Sequence, residues 1–195
     1  LVARHHVEAV LSHPIRAEQL PIRWRVEIGS GYTGPTVADG RVYVMDRLTE
    51  PKQVERVHGF HLKSGQKIWS HTYDAVYRDV GYQAGPRASV TIDGDRAYSL
   101  GTMGHLFCFG AATGKILWQK DLAAEYDTQM PIWGIAASPL VDGELLIVQP
   151  GGAKACLVAL NKTSGKEVWT ALDDGAQYSS PIITEQAGRC MDCGI

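Results

Sequence analysis

One eleven-residue phrase occurs three times in this chain, from Gly59 to Trp69, from Cys108 to Trp118 and from Ala159 to Trp169. The copies align without a gap. Gly65, Gly114 and Gly165 coincide, and so do Trp69, Trp118 and Trp169, spaced about 50 residues apart. A period of that length is the mark of a repeat architecture, and it constrains the fold more than any single residue does. Each phrase reads as two short strands around a turn. Phe60, Phe109 and Leu160 precede the turn, and Ile68, Leu117 and Val168 follow it. The Ser/Thr-Gly pair between them supplies a residue that tolerates positive φ.

A second phrase lies upstream in each unit, starting at Gly34, Gly85 and Ser138. Each carries Pro near its start and Asp-Gly in its middle, a hairpin signal between β-rich runs. The unit is therefore four antiparallel strands: A before the Asp-Gly, B after it, C before the Ser/Thr-Gly turn, and D reaching the Trp. Four strands per unit, repeated, describe the blades of a β-propeller. One blade exposes two apolar faces, and stacking on its neighbours is what buries them. The sole helical candidate is Ala3 to Leu11, closed by Pro14.

The expected fold is all-β, a propeller piece of about three to four four-stranded antiparallel blades. Its expected division is an N-terminal segment at 1–24, blades at 25–69, 70–118 and 119–169, and the start of a further blade at 170–195. Trp24 reads as the end of a strand D from an earlier blade. Closed propellers have about four to eight blades, so the 195 residues are expected to be part of a longer protein. Gly is frequent, 21 of 195 residues, as turn-rich β folds require. The net charge is −2 with charges scattered and no basic stripe, which argues against a nucleic-acid partner. No apolar run is long enough for a transmembrane helix.

The repeated phrases resemble the pyrroloquinoline-quinone (PQQ) propeller repeat, whose hallmark is Ala-x-Asp-x-x-Thr-Gly-x-x-x-Trp. Ala159, Asn161, Ser164, Gly165 and Trp169 match it best; Cys108 and Gly110, or Gly59 and His61, stand at its Ala and Asp positions in the other copies. The resemblance covers about Trp24 to Ile183 and implies that Trp69, Trp118 and Trp169 are docking residues that stack on an adjacent repeat. It implies a periplasmic or extracellular location, although no signal peptide is visible. It leaves two functions open. Some members are quinoprotein dehydrogenases that hold PQQ and calcium on the propeller axis. Others are non-catalytic scaffolds, such as the lipoprotein of the outer-membrane assembly machinery. Fold alone does not choose between them. An adjacent Cys-Cys pair, a catalytic Asp and an Asp/Asn/Glu calcium set would be expected of a dehydrogenase. The chain has no Cys-Cys pair, and Asp79, Asp127 and Asp174 fall at differing offsets.

The connections before each strand A carry the candidate site. Tyr32, Tyr82, Trp133 and Tyr178 each precede the shared Pro by a few residues, and Arg87 directly follows Pro86. In a propeller these connections converge on one end of the central channel, where ligand sites collect. An Arg among aromatics suits an anionic or planar ligand; the bland alternative is that the rings plug the channel. The leading functional expectation is a non-catalytic scaffold binding a protein or a small ligand. A PQQ-dependent oxidoreductase acting on an alcohol or sugar is the second, and a carbohydrate-binding module using the aromatics is the third.

Other motifs carry less. Gly29, Gly31 and Gly34 spell the dinucleotide spacing, but a hairpin follows where a helix is needed. Cys190 and Cys193 form a lone CxxC, without the second pair of a zinc site or the βαβ context of a redox motif. A truncated or frameshifted end is the expected source of that tail. Cys108 and Cys156 read as buried thiols. His58 and His61 are three apart and point to opposite faces of a strand. No metal ligand set is expected, and no Ser/His/Asp motif such as GxSxG is present.

Overall fold

The computed structural model describes residues 5–8, 21–186 and 189–193, with side chains over 21–184. A first pair of strands, β1 (His5–Glu8) and β2 (Arg25–Ile28), is antiparallel. Three four-stranded antiparallel sheets follow: β3 (Thr36–Ala38), β4 (Arg41–Leu48), β5 (Val54–His61) and β6 (Lys67–Asp74); β7 (Thr91–Asp93), β8 (Arg96–Leu100), β9 (His105–Gly110) and β10 (Ile116–Asp121); then, after a four-residue helix α1 (Leu122–Glu125), β11 (Leu140–Asp142), β12 (Leu145–Val148), β13 (Leu157–Asn161) and β14 (Glu167–Ala171). A closing hairpin pairs β15 (Ile182–Gln186) with β16 (Arg189–Cys193). Each four-stranded sheet runs in sequence order as a meander, the topology of a propeller blade.

Strand D does not end at the tryptophan as expected. Strand D continues past each tryptophan, to Asp74, Asp121 and Ala171, and Arg25–Ile28 pairs with β1 rather than with the blade that follows. The helical expectation for Ala3 to Leu11 fails at His5–Glu8, which is strand. A short helix gains little locally, whereas β2 needs a backbone partner for its polar groups; the rest of that segment lies outside the described residues. Cys190 and Cys193 lie on β16, paired with Glu185 and Ile182.

A β-bulge recurs at the same place in every blade. Gly59 pairs with Trp69 and Phe60 with Lys67, which leaves Ile68 as the extra residue; Leu117 and Val168 occupy the same place in the next two blades. The bulge twists the strand locally and re-aims the tryptophan that follows. That ring then lies on the turn of the next blade. The indole N–H of Trp24 donates to the Leu62 carbonyl at 2.7 Å, that of Trp69 to Ala111 at 2.9 Å, and that of Trp118 to Lys162 at 3.2 Å. Each ring covers the turn glycine: a Cβ on Gly65, Gly114 or Gly165 would stand 2.6–2.8 Å from the ring of Trp24, Trp69 or Trp118. Those glycines also sit at φ of 68–69°. Contact and conformation therefore both require Gly. Trp24 thus docks in the same way as Trp69 and Trp118. Trp169 packs half-buried against Ile147, Leu157 and Ala159 on the far face of the third blade.

The core lies between blades rather than within them. Tyr43, Met45, Val57 and Trp69 meet Ala97, Phe107 and Phe109 of the next blade. Tyr98, Leu100, Leu106 and Cys108 meet Leu146, Val158 and Leu160 of the third. Around strand A, side-chain hydrogen bonds tie each blade to the next. Thr36 Oγ1 donates to the Val90 carbonyl at 2.6 Å, and Thr91 Oγ1 to Pro139 at 2.5 Å. Ser89 N donates to Ser138 Oγ, and Ser138 N to Ser180 Oγ, both at 2.9 Å. These bonds bring successive strand A connections side by side, and the candidate site is built from those connections. Among the described residues no helix is long and apolar enough to cross a membrane.

Candidate functional site

Tyr32, Tyr82, Arg87, Trp133 and Tyr178 come from four successive connections, and together with Ala136 they line one cavity of about 210 Å³. The rings are partly open to solvent: Tyr82 is 72% exposed and Trp133 45%. Tyr82 meets Trp133 edge-on, with centroids 6.4 Å apart, and Trp133 meets Tyr178 at 4.7 Å. The Arg87 guanidinium carbon lies 5.1 Å from the centre of the Tyr32 ring. Pro35, Pro139 and Pro181 directly precede a strand A, and Pro86 lies five residues before one.

Arg87 is held by its own loop. One terminal nitrogen donates to the Gly85 carbonyl and, at 3.4 Å, to Thr102 Oγ1; the other donates to the carbonyls of Gly81 at 3.0 Å and Tyr82 at 2.6 Å. The guanidinium therefore shapes the rim and presents its face to Tyr32, with its fork already occupied. The expected grip on an anion does not fit this geometry, because a bidentate clamp needs free parallel N–H groups.

Beneath the rim lies a buried polar network that the sequence did not reveal. Glu55 is fully buried. Its carboxylate accepts from Tyr73 Oη at 2.5 Å, from Tyr77 Oη, and from Thr102 N at 3.1 Å. Tyr77 Oη is also 2.6 Å from Thr102 Oγ1. The Tyr77 ring lies between two guanidiniums, 3.8 Å from Arg47 and 5.8 Å from Arg87. Arg47 in turn donates to the Gln83 carbonyl and, at 2.5 Å, to Gln53 Oε1. Burial first, and then the Glu55 charge, push the Tyr73 and Tyr77 hydroxyls well above the usual phenol range, so both remain donors at any ordinary pH. The network holds the Tyr82–Arg87 loop at a set height over the second blade. In the sequence, Glu55 and Arg56 are neighbours on a strand and point to opposite faces, and nothing in the repeated phrase marks Glu55 as buried. Only the pairing with the next blade turns Glu55 inward.

A second buried cluster lies on the opposite face of the first blade. Asp46 accepts from Arg56 through both oxygens, with Nε at 2.7 Å, from Gly29 N at 2.5 Å, and lies 3.1 Å from His58 Nε2; His58 Nδ1 is 2.9 Å from Ser70 Oγ. Ser70, His58 and Asp46 thus form a chain, but the Arg56 charge already neutralises Asp46. The cluster ties the Gly29 connection to the blade. His61 is exposed, on the other face from His58. Burial raises the Asp46 carboxyl, and the hydrogen bonds from His58, Arg56 and Gly29 outweigh it, leaving the group at about 2 instead of 3.8. Because the folded value is the lower one, Asp46 stabilises the fold fully above its ordinary value and ceases to do so as the pH falls through about 2. Asp46→Asn is expected to cost about 2 kcal/mol at neutral pH. It should also flatten the acid limb of the stability curve, measured by urea unfolding at pH 7 and pH 3. An unchanged acid limb would show that Asp46 is not the group that titrates.

The resemblance pairs the quinone with calcium, and the described residues assemble no carboxylate cluster for that cation. A hard cation needs several oxygen ligands. Among the described residues no group of three or more His, Cys, Asp or Glu is placed to hold a metal ion. Glu55, the buried carboxylate nearest the cavity, has its oxygens filled by protein donors. Cys108 and Cys156 are separate buried thiols whose ionisation burial disfavours.

The comparisons with known proteins agree with this architecture. The family model described as outer membrane protein assembly factor BamB matches residues 53–193. A 1-butanol dehydrogenase (cytochrome c) of Thauera butanivorans is 27% identical over 161 residues, 77% of this chain and 22% of that protein. Among solved structures, BamB from Moraxella catarrhalis superposes with a TM-score of 0.55 at 18% identity, over 82% of this chain and 42% of that one. A quinohemoprotein alcohol dehydrogenase from Comamonas testosteroni superposes at 0.52 with 24% identity, over 72% of this chain and 21% of that one. The chain thus spans less than half the length of these relatives. Three bulged, tryptophan-docked blades and a family match across most of their length lead to one conclusion: the chain belongs to the PQQ-like repeat family of β-propellers, to which the BamB model corresponds.

Proposed function

We propose that this propeller is a binding scaffold without redox chemistry of its own, and that its ligand or protein partner is held at the mouth formed by Tyr32, Tyr82, Arg87, Trp133 and Tyr178. The supporting observation is convergence: four successive connections each contribute an aromatic ring to one cavity. Tyr, Trp and Arg are the residues that carry most binding energy at interfaces. The reading goes with a periplasmic or extracellular location, by likeness to an outer membrane assembly factor.

The second reading, a PQQ-dependent oxidoreductase acting on an alcohol or sugar, is favoured by the likeness to a 1-butanol dehydrogenase. It requires a calcium cradle, and this chain spans only 22% of that relative, so the test belongs to the full-length protein. Incubation of the full-length protein with PQQ and Ca²⁺, followed by dye reduction with 1-butanol and aldoses, separates the two. No turnover above a protein-free control is expected. Turnover abolished by chelating calcium would overturn the scaffold reading.

A further inference from the structure

We infer that the mouth cavity takes a single neutral six-membered sugar ring. The inference rests on the proposed binding role of the same cavity and goes further, to the chemistry of what it binds. Size is the first constraint. About 210 Å³ is below the roughly 300–1,000 Å³ of sites for drug-sized ligands, and it suits one ring.

Charge is the second constraint. An aromatic box would ordinarily suit a quaternary ammonium, but the Arg87 guanidinium stands in the box, 5.1 Å from the Tyr32 ring, and repels a cation. An anion is disfavoured for a different reason. All four terminal N–H bonds of Arg87 point at Gly81, Tyr82, Gly85 and Thr102, so no fork remains for a carboxylate or phosphate. The ligand is therefore neutral.

The third constraint comes from the tips of the rings. The hydroxyls of Tyr32, Tyr82 and Tyr178 and the indole N–H of Trp133 make no hydrogen bond to a described protein group, and all four side chains are exposed. Apolar faces inside with wet polar tips around them match an amphipathic ring. A pyranose stacks its C–H face on an aromatic face and turns its hydroxyls outward to such tips.

Isothermal titration of the intact chain with methyl pyranosides of glucose, galactose and mannose tests this. A neutral hexasaccharide of glucose, glucosamine, glucose 6-phosphate and indole serve as comparators. At least one methyl pyranoside should bind near about 1 mM, the range open to one small ring. Trp133→Ala and Tyr178→Ala should each weaken it about tenfold or more. Glucosamine should bind worse than glucose, and glucose 6-phosphate no better. A hexasaccharide that binds at least tenfold more tightly than the pyranoside marks a glycan as the source of the ring, and equal binding marks the free sugar. Indole binding that Trp133→Ala abolishes, with every sugar silent, would overturn the sugar inference and leave the binding mouth standing. Silence of sugars and indole alike would overturn the sugar inference too, and would leave the mouth to a protein partner. Circular dichroism of the variants shows whether they fold, and since both side chains are exposed, a native spectrum is expected.

Discussion

Trp69→Ala is expected to lower the unfolding free energy by about 3–5 kcal/mol, as large aromatic truncations in cores do. Trp69 is only 8% exposed. Its ring meets Tyr43 and Phe109, with centroids 6.0 and 5.5 Å away, and covers Gly114. Its indole N–H closes a hydrogen bond to the next blade. Removing it opens a void between blades and frees the Ala111 carbonyl of that partner, although Tyr43 Oη still donates to the same oxygen at 3.2 Å. Gly114→Ala attacks the same contact from the other side, combining overlap with strain at positive φ. Chemical denaturation monitored by circular dichroism measures both. A loss under about 1 kcal/mol for Trp69→Ala, the range of ordinary surface changes, would show that the tryptophans do not join the blades.

Glu55→Leu should be comparably harmful for an electrostatic reason. It leaves Tyr73 Oη and Thr102 N without their acceptor, while Tyr77 Oη keeps Thr102 Oγ1 at 2.6 Å. Each orphaned buried donor costs about 1–3 kcal/mol, so a total of at least about 2 kcal/mol is expected. Tyr73→Phe, which removes a single donor, should cost only about 1 kcal/mol. Hydrogen exchange supplies a readout specific to the network: the Gly101–Gly104 amides should lose protection in Glu55→Leu before the distant turn at Gly165 does. Equal stability of Glu55→Leu and the parent chain would mean that the carboxylate is not the hub described here.

How much of this was legible beforehand follows from the length scale of each signal. The blade phrases are local in sequence, so Gly65, Gly114 and Gly165 with their tryptophans announced the fold. The cavity was legible for the same reason, since each of its aromatics stands just before a strand A proline. Glu55, Tyr77 and Thr102 were not. They belong to different strands and connections, and only the stacking of one blade on the next turns them toward each other. Arg87 was visible but its role was not, because its partners are backbone carbonyls, which sequence chemistry does not distinguish. The bulges at Ile68, Leu117 and Val168 were hidden as well; an extra residue in a strand leaves the apolar pattern nearly intact. His5–Glu8 misled for a related reason: a short run with helical periodicity takes its conformation from the partner strand it finds.

The central claim is that the mouth lined by Tyr32, Tyr82, Arg87, Trp133 and Tyr178 is where this propeller binds. Crystals soaked with a set of small ring-bearing molecules, sugars and aromatics alike, test it most directly. The account predicts that the bound rings gather in that cavity, stacked on Trp133 or Tyr178, and vacate it in Trp133→Ala crystals. Rings that bind reproducibly elsewhere on the blades and leave this cavity empty would contradict it.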